Sequence, residues 1–174
     1  MLGRFLYLEF LFPILDYLKT LELREGTYDL GIPVYVTLIL YFNLAPITAD
    51  QKSIIGSAIA LLAILIGFSI TSITVLSTSS GEAIKLLKEK KSKRMISKKP
   101  ISLFQLLHIG FTYALIIEIL TLASILTFSV LLRCNVSSPL CSGLYFFNIF
   151  LLIHIILINL RNTTNFYFVL FKSE

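Results

Sequence analysis

Charge is the first thing this chain lacks. Only 14% of its 174 residues are Asp, Glu, Lys or Arg, well under the roughly 25% of an ordinary soluble domain. With 56% hydrophobic residues and a mean hydropathy of +0.87, there is too little polar surface to clothe a water-soluble fold. The motifs of soluble enzymes are also missing: there is no glycine-rich phosphate loop, no His-Glu-x-x-His, no Gly-x-Ser-x-Gly and no paired carboxylates on one polar segment. The polar segments are too short to bury a core of their own, so neither an enzyme nor a cofactor site is expected. Alternating decamers of the barrel type are absent, and no small-residue cleavage site follows the apolar start. Whatever crosses a bilayer here must be helix, because an open strand edge in lipid leaves backbone groups unpaired.

Long apolar runs are what the chain does have. Four stand out, at 32–47, 54–77, 103–132 and 143–160, against a need of about 20 residues per crossing. The second and third are ample; the first is short, contains Asn43 and needs help from its flanks. The sequence therefore predicts an all-α integral membrane protein. A membrane domain of four helices spans 30–174, preceded by an amphipathic helix in 1–29. In that leading segment Glu9, Asp16, Lys19 and Glu22 fall on one side of a helix, with Leu8, Phe12, Leu15 and Leu18 on the other. This pattern suits the membrane surface.

The connection at 80–102 holds Lys85, Lys88, Lys90, Lys91, Lys93, Arg94, Lys98 and Lys99 against Glu82 and Glu89. Positive loops stay inside, so this loop and both termini are expected to be cytoplasmic. All Lys and Arg except Lys52 and Arg133 then lie on the inner side, which accounts for the net charge of +5 without nucleic acid. Lys85, Lys88, Lys90, Lys91, Lys93 and Arg94, with Arg161 and Asn162 at the inner end of the fourth run, form a candidate cytoplasmic surface for a protein partner or anionic lipid. On the outer side Cys134 and Cys141 flank a short loop and could close it as a disulfide. No metal site is expected, since neither histidine shares that side.

In the second run Gly56, Ala60, Ala63, Gly67 and Thr71 recur at threes and fours. Small residues so spaced let helices approach closely, which predicts a central helix with Thr71 either packing or lining a wet path. The third run carries Glu118, roughly 22 Å beyond Leu103 along the helix. A carboxylate at that depth must be neutral, paired or wet. On an antiparallel fourth helix, Asn148 and His154 bracket its depth and are the expected partners. His154, Arg161 and Asn165 add a polar stripe. A latch between helices is the favoured role for Glu118, a conducting path the other.

The order of these features resembles small four-span membrane proteins of bacterial antiphage defence. These features are an amphipathic start, LIGFSITSITVLS before the basic loop, IIEIL around Glu118, and IHIILINLRNTTNFYF with His154 and the Arg161-Asn162 step. The likeness, over 54–168, is to the KwaA family of the Kiwa system and more distantly to the RexB family. It implies a homo-oligomer, a tetramer, in the bacterial inner membrane that senses phage attack. It further implies a KwaB-like, nucleic-acid-binding cytoplasmic partner, with no direct nucleic-acid contact by this chain. A RexB-like protein would instead open an ion path. The residues by themselves also admit a small proton-coupled transporter using Glu118, or an accessory anchor.

Overall fold

The structure, a computed structural model, describes residues 9–43, 51–96, 98–133 and 139–171. The described chain is predominantly helical, with one small hairpin. Its elements are α1 (Leu11–Thr20), α2 (Leu23–Asn43), α3 (Gln51–Thr78), α4 (Glu82–Glu89), β1 (Lys91–Ile96), β2 (Lys99–Ser102), α5 (Leu103–Arg133) and α6 (Pro139–Phe171). Three helices are long and apolar enough to cross a membrane, over Ile54–Thr78, Leu103–Leu132 and Cys141–Phe168. This architecture is compatible with a multi-pass membrane protein.

The leading segment is not one helix followed by a span at 32. The chain breaks at Leu21 and Glu22, and α2 then runs without interruption from Leu23 to Asn43. It is outside the membrane-length set because Asp29, Pro33 and Asn43, with its glycines and tyrosines, leave no stretch of it apolar enough. Residues 44–47 of the expected first span lie outside the described residues. α1 turns Tyr17 and Thr20 inward and leaves Phe12, Leu15 and Leu18 exposed, so its apolar stripe faces away from the bundle. Pro13 sits in the first turn, where its missing N–H costs nothing.

The long helices form a row in the order α3, α5, α6, α2. Each neighbouring pair is antiparallel. Ser69 meets Glu118 while Leu62 packs with Ile125; Phe111 meets Phe166 while Phe128 meets Tyr145. α2 follows α6 from Asp29, which meets Arg161, to Tyr41, whose ring stands edge-on to Phe146 at 5.0 Å. α2 thus travels beside α6 from Arg161 to Phe146, about half of that helix.

The inner helices of the row are α5 and α6, and α3, expected to be central, lies at one end. The face of α3 that meets α5 is Ala58, Leu62, Ser69 and Leu76, spaced at fours and sevens, and all four are buried. The small-residue ladder lies elsewhere on the helix: Gly56, Ala60, Ala63, Gly67 and Thr71 are exposed, and a Cβ added at Gly56 or Gly67 would touch nothing within 4 Å. Within one chain the ladder makes no helix contact. Leucine and serine supply the α3–α5 seam instead.

The basic connection is built structure, not an open loop. α4 turns Ile84 and Leu87 onto Leu76, Leu107 and Phe111 and leaves Lys85 and Lys88 in the open. β1 alternates between exposed and half-buried positions, the period of two expected of a strand lying on a surface. Lys91, Lys93 and Met95 point out; Ser92, Arg94 and Ile96 point in. The turn to β2 holds Lys98 at φ 65°, a left-handed conformation unfavourable for a residue with a side chain. α5 then begins with a capping box: Gln105 N–H donates to Ser102 Oγ (3.2 Å) and Ser102 N–H donates to Gln105 Oε1 (2.9 Å).

Candidate functional site

Pro33 opens the site. Lying inside α2 and fully buried, it has no N–H to give to the carbonyl four residues earlier, and that carbonyl belongs to Asp29. The vacated acceptor is filled from α6: His154 Nδ1 lies 2.7 Å from the Asp29 carbonyl oxygen. A carbonyl only accepts, so Nδ1 carries the proton. His154 Nε2, 2.9 Å from the Tyr113 hydroxyl on α5, is then the acceptor in a neutral ring. His154 is therefore a cap for a proline-broken helix, and it does not reach Glu118, one of whose expected partners it was.

Two turns toward the hairpin end of α6, Arg161 gathers the charged residues. It donates to Asp29 Oδ2 and to the Tyr17 hydroxyl, while Tyr17 donates to the same Asp29 oxygen at 3.0 Å. The Tyr17 ring stacks on Tyr113, centroids 3.7 Å apart and planes 2° from parallel, with the Arg161 guanidinium 5.3 Å from the Tyr17 ring centroid. Burial raises the Tyr17 phenol well above its ordinary pKa, so this hydroxyl remains a donor. Glu25 lies 3.9 Å from Arg161 and 2.7 Å from Arg94 of β1, and Arg94 also meets Glu22 at 2.6 Å. Two guanidinium groups thus bind three carboxylates and fasten α1, α2, β1 and α6 together. Exposure ranks these pairs. Asp29 is 7% exposed and Arg161 21%, whereas Glu22 is 61% exposed; solvated pairs contribute little, so the Arg161–Asp29 pair carries the joint.

Glu118 is fully buried between three helices. Its Oε1 accepts from Ser69 Oγ of α3 at 3.0 Å and from Asn159 Nδ2 of α6 at 2.8 Å. The partners are therefore neither Asn148 nor His154. Asn159 lies five residues beyond the expected Asn148–His154 bracket, toward the hairpin end of α6, and it is 500° of helix from His154 at 100° per residue, hence on another face. Glu118 Oε2 and Asn159 Oδ1 have no partner among the described residues.

α6 consequently carries two polar faces. His154 and Arg161 meet α2 and the headpiece of α1 and the hairpin. Asn148, Asn159 and Asn162, spaced at eleven and three, are all buried. Both side-chain polar atoms of Asn148 lack a partner among the described residues. Between the depths of Asn148 and Asn159 sits Ile155, fully buried in an apolar cluster with Ala58, Leu62 and Ile125. The polar positions are thus separated by a dry layer within one chain. Asn162 presses on α5 where only glycine fits: a Cβ on Gly110 would lie 2.6 Å from Asn162 Oδ1.

The remaining expected positions scatter. Thr71 is exposed and donates to the Gly67 carbonyl of its own helix at 2.8 Å, and Thr74 and Thr78 do likewise; this is packing chemistry, not a lined path. Lys88 lies 5.0 Å from the Phe104 ring centroid. Lys85, Lys90, Lys91 and Lys93 are exposed, while Arg94 is drawn inward. Cys141 is buried beside Phe128 and Tyr145; Cys134, its expected disulfide partner, lies outside the described residues. Asp29 and Tyr17 were not singled out from sequence, and neither Ser69 nor Asn159 was expected to meet Glu118. The one signal for Asp29 was its place four residues before Pro33. Compared with models of known families, with curated proteins and with solved structures, the chain matches none.

Proposed function

We propose that this chain is a non-catalytic membrane subunit that crosses the bilayer four times, with both termini and the basic hairpin in the cytoplasm. It serves there as a docking platform for a cytoplasmic protein. The observation that carries this reading is the hairpin itself: Lys91, Lys93 and Met95 are presented outward on a strand whose inner residue, Arg94, is tied through Glu25 to Arg161 of α6. An orientation signal needs only charge; it needs no strand and no ion pairs to a membrane helix. α2 serves as the fourth crossing. Its exposed Val34, Tyr35, Leu38, Tyr41 and Phe42 form an outward apolar surface that suits lipid, and its course beside α6 supports that assignment. The exposed Gly56–Thr71 ladder suits close approach of a second copy.

The resemblance to the Kiwa membrane component gives this platform a setting. The chain is then an inner-membrane, homo-oligomeric (tetrameric) sensor of phage attack whose partner is KwaB-like and binds nucleic acid. Two experiments on cells carrying both genes test the reading. Lys85→Gln/Lys90→Gln/Lys93→Gln is expected to reduce recovery of the partner with the membrane subunit and to lower protection in a phage-plating assay. Undiminished recovery with protection intact would reduce the hairpin to an orientation signal. The ion-path alternative draws on the unpaired atoms of Asn148 and Glu118, but the dry layer around Ile155 opposes it. Glu118→Gln keeps an acceptor for Ser69 and Asn159, and is expected to preserve both protection and the membrane potential read by a voltage-sensitive dye. Loss of phage-induced depolarisation in that variant would establish the path instead.

A further inference from the structure

Where α5 leaves the hairpin, an open groove of about 610 Å³ runs between α1, β2 and the first turns of α5. It adjoins a hollow of about 400 Å³ on the α4 side, and the two share Pro100, Phe104 and Gln105 as a common wall. Around that wall stand Lys88 and Lys91 on one side, Lys99 and His108 on the other. Asp16 is the one acidic lining residue, and Lys19 already offsets it at 3.4 Å. The floor is different in character: Phe104 and Ile109 belong to the helix that starts at Leu103 and is apolar enough to cross a membrane.

We propose that this groove is a binding site for one anionic phospholipid. The lipid headgroup would straddle the shared wall into the adjoining hollow, with Lys91 on one side of it and Lys99 and His108 on the other, and its acyl chains would run along the first turns of α5 past Phe104 and Ile109. Position and charge select this occupant. The groove sits at the start of a membrane-length helix, where headgroups lie, and its rim is basic while one wall is apolar. A soluble phosphate would use the rim and leave the wall uncovered. The cation–π contact of Lys88 with Phe104 adds positive charge directly above the wall. A lysine near a charged bilayer surface contributes about 1 kcal/mol, roughly fivefold in binding for each one removed. Lys85 and Lys93 carry the same charge nearby but line neither hollow, which separates a site from a diffuse basic surface. The inference rests on the membrane reading alone and does not depend on the partner.

The test uses the full chain purified in detergent, titrated with phosphatidylglycerol or phosphatidylcholine and read by native mass spectrometry. One retained phosphatidylglycerol per chain is expected, with phosphatidylcholine bound far more weakly. Lys91→Gln/Lys99→Gln should weaken phosphatidylglycerol binding by roughly 25-fold, at fivefold per lysine, while Lys85→Gln/Lys93→Gln changes it less than twofold. Millimolar inorganic phosphate should not displace the lipid. Equal losses in the two double variants, no preference between the lipids, or displacement by phosphate would each overturn the proposal. Both double variants change only exposed lysines, and matching elution profiles and helicity verify that each is folded.

Discussion

The contact of Gly110 with Asn162 permits a sharp trial of how tightly α5 and α6 are joined. Replacing Gly110 by Ala adds one methyl, and that carbon would fall 2.6 Å from Asn162 Oδ1, 3.3 Å from its Cγ and 3.5 Å from Nδ2. The clash is with the far end of the amide, at Oδ1, and because Asn162 is only 3% exposed the amide can turn away only by displacing its buried neighbours. Either the side chain or the helix must move. Overpacking of this kind costs about 1–3 kcal/mol, set against the few tenths to 1 kcal/mol by which Ala is the better helix residue. A net destabilisation of about 1–2 kcal/mol is expected, measured as a shift in reversible unfolding by SDS in mixed micelles. Asn162→Ala should by itself be nearly neutral, since the packing it loses is offset by removal of an amide whose Nδ2 has no partner among the described residues. The double variant should then recover most of the loss, giving a coupling of at least 1 kcal/mol in a double-mutant cycle. Two additive single effects, or a Gly110→Ala protein as stable as the parent, would refute the close approach and with it the α5–α6 register.

Two other outcomes follow from the headpiece. Arg161→Met strands Asp29, which is 7% exposed; breaking a buried pair from one side costs about 3–5 kcal/mol, reduced here to about 2–4 because Arg161 is partly solvated. Arg161→Met/Asp29→Leu should regain at least half of that in the same SDS assay, and no regain would mean the pair is not the joint. Lys98→Gly removes a Cβ from a left-handed position and should stabilise the hairpin by about 1 kcal/mol. Slower amide exchange over the paired ends of β1 and β2, at Ile96 and Lys99, by hydrogen–deuterium mass spectrometry checks it, and unchanged or faster exchange would contradict it.

Much of the membrane architecture was legible because its signal is composition. Runs 54–77, 103–132 and 143–160 fall within helices that are membrane-length by hydropathy, and Glu118 is buried as its depth required. What escaped is what depends on rotation. The residue facing Glu118 is Asn159, which was not among its expected partners because nothing local orients α6. Gly56 to Thr71 advertised close packing, but small residues permit an interface without specifying which helix supplies it. The hairpin hid inside a run of lysines, although the Ser102–Gln105 capping box already marked where α5 must start and so where the preceding segment must end. The headpiece joint was illegible for another reason: Arg161, Asp29 and Tyr17 meet only after every helix is in place.

The carbonyl that Pro33 leaves open has a consequence for biosynthesis. α2 emerges from the ribosome with a backbone acceptor it cannot satisfy itself, and the group that satisfies it, His154, is made 125 residues later. α2 is therefore finished by α6. A nascent chain that stops short of α6 carries both an unpaired carbonyl and an unpaired Asp29 carboxylate into whatever environment receives it. Arrival of α6, rather than insertion of each segment in turn, satisfies α2.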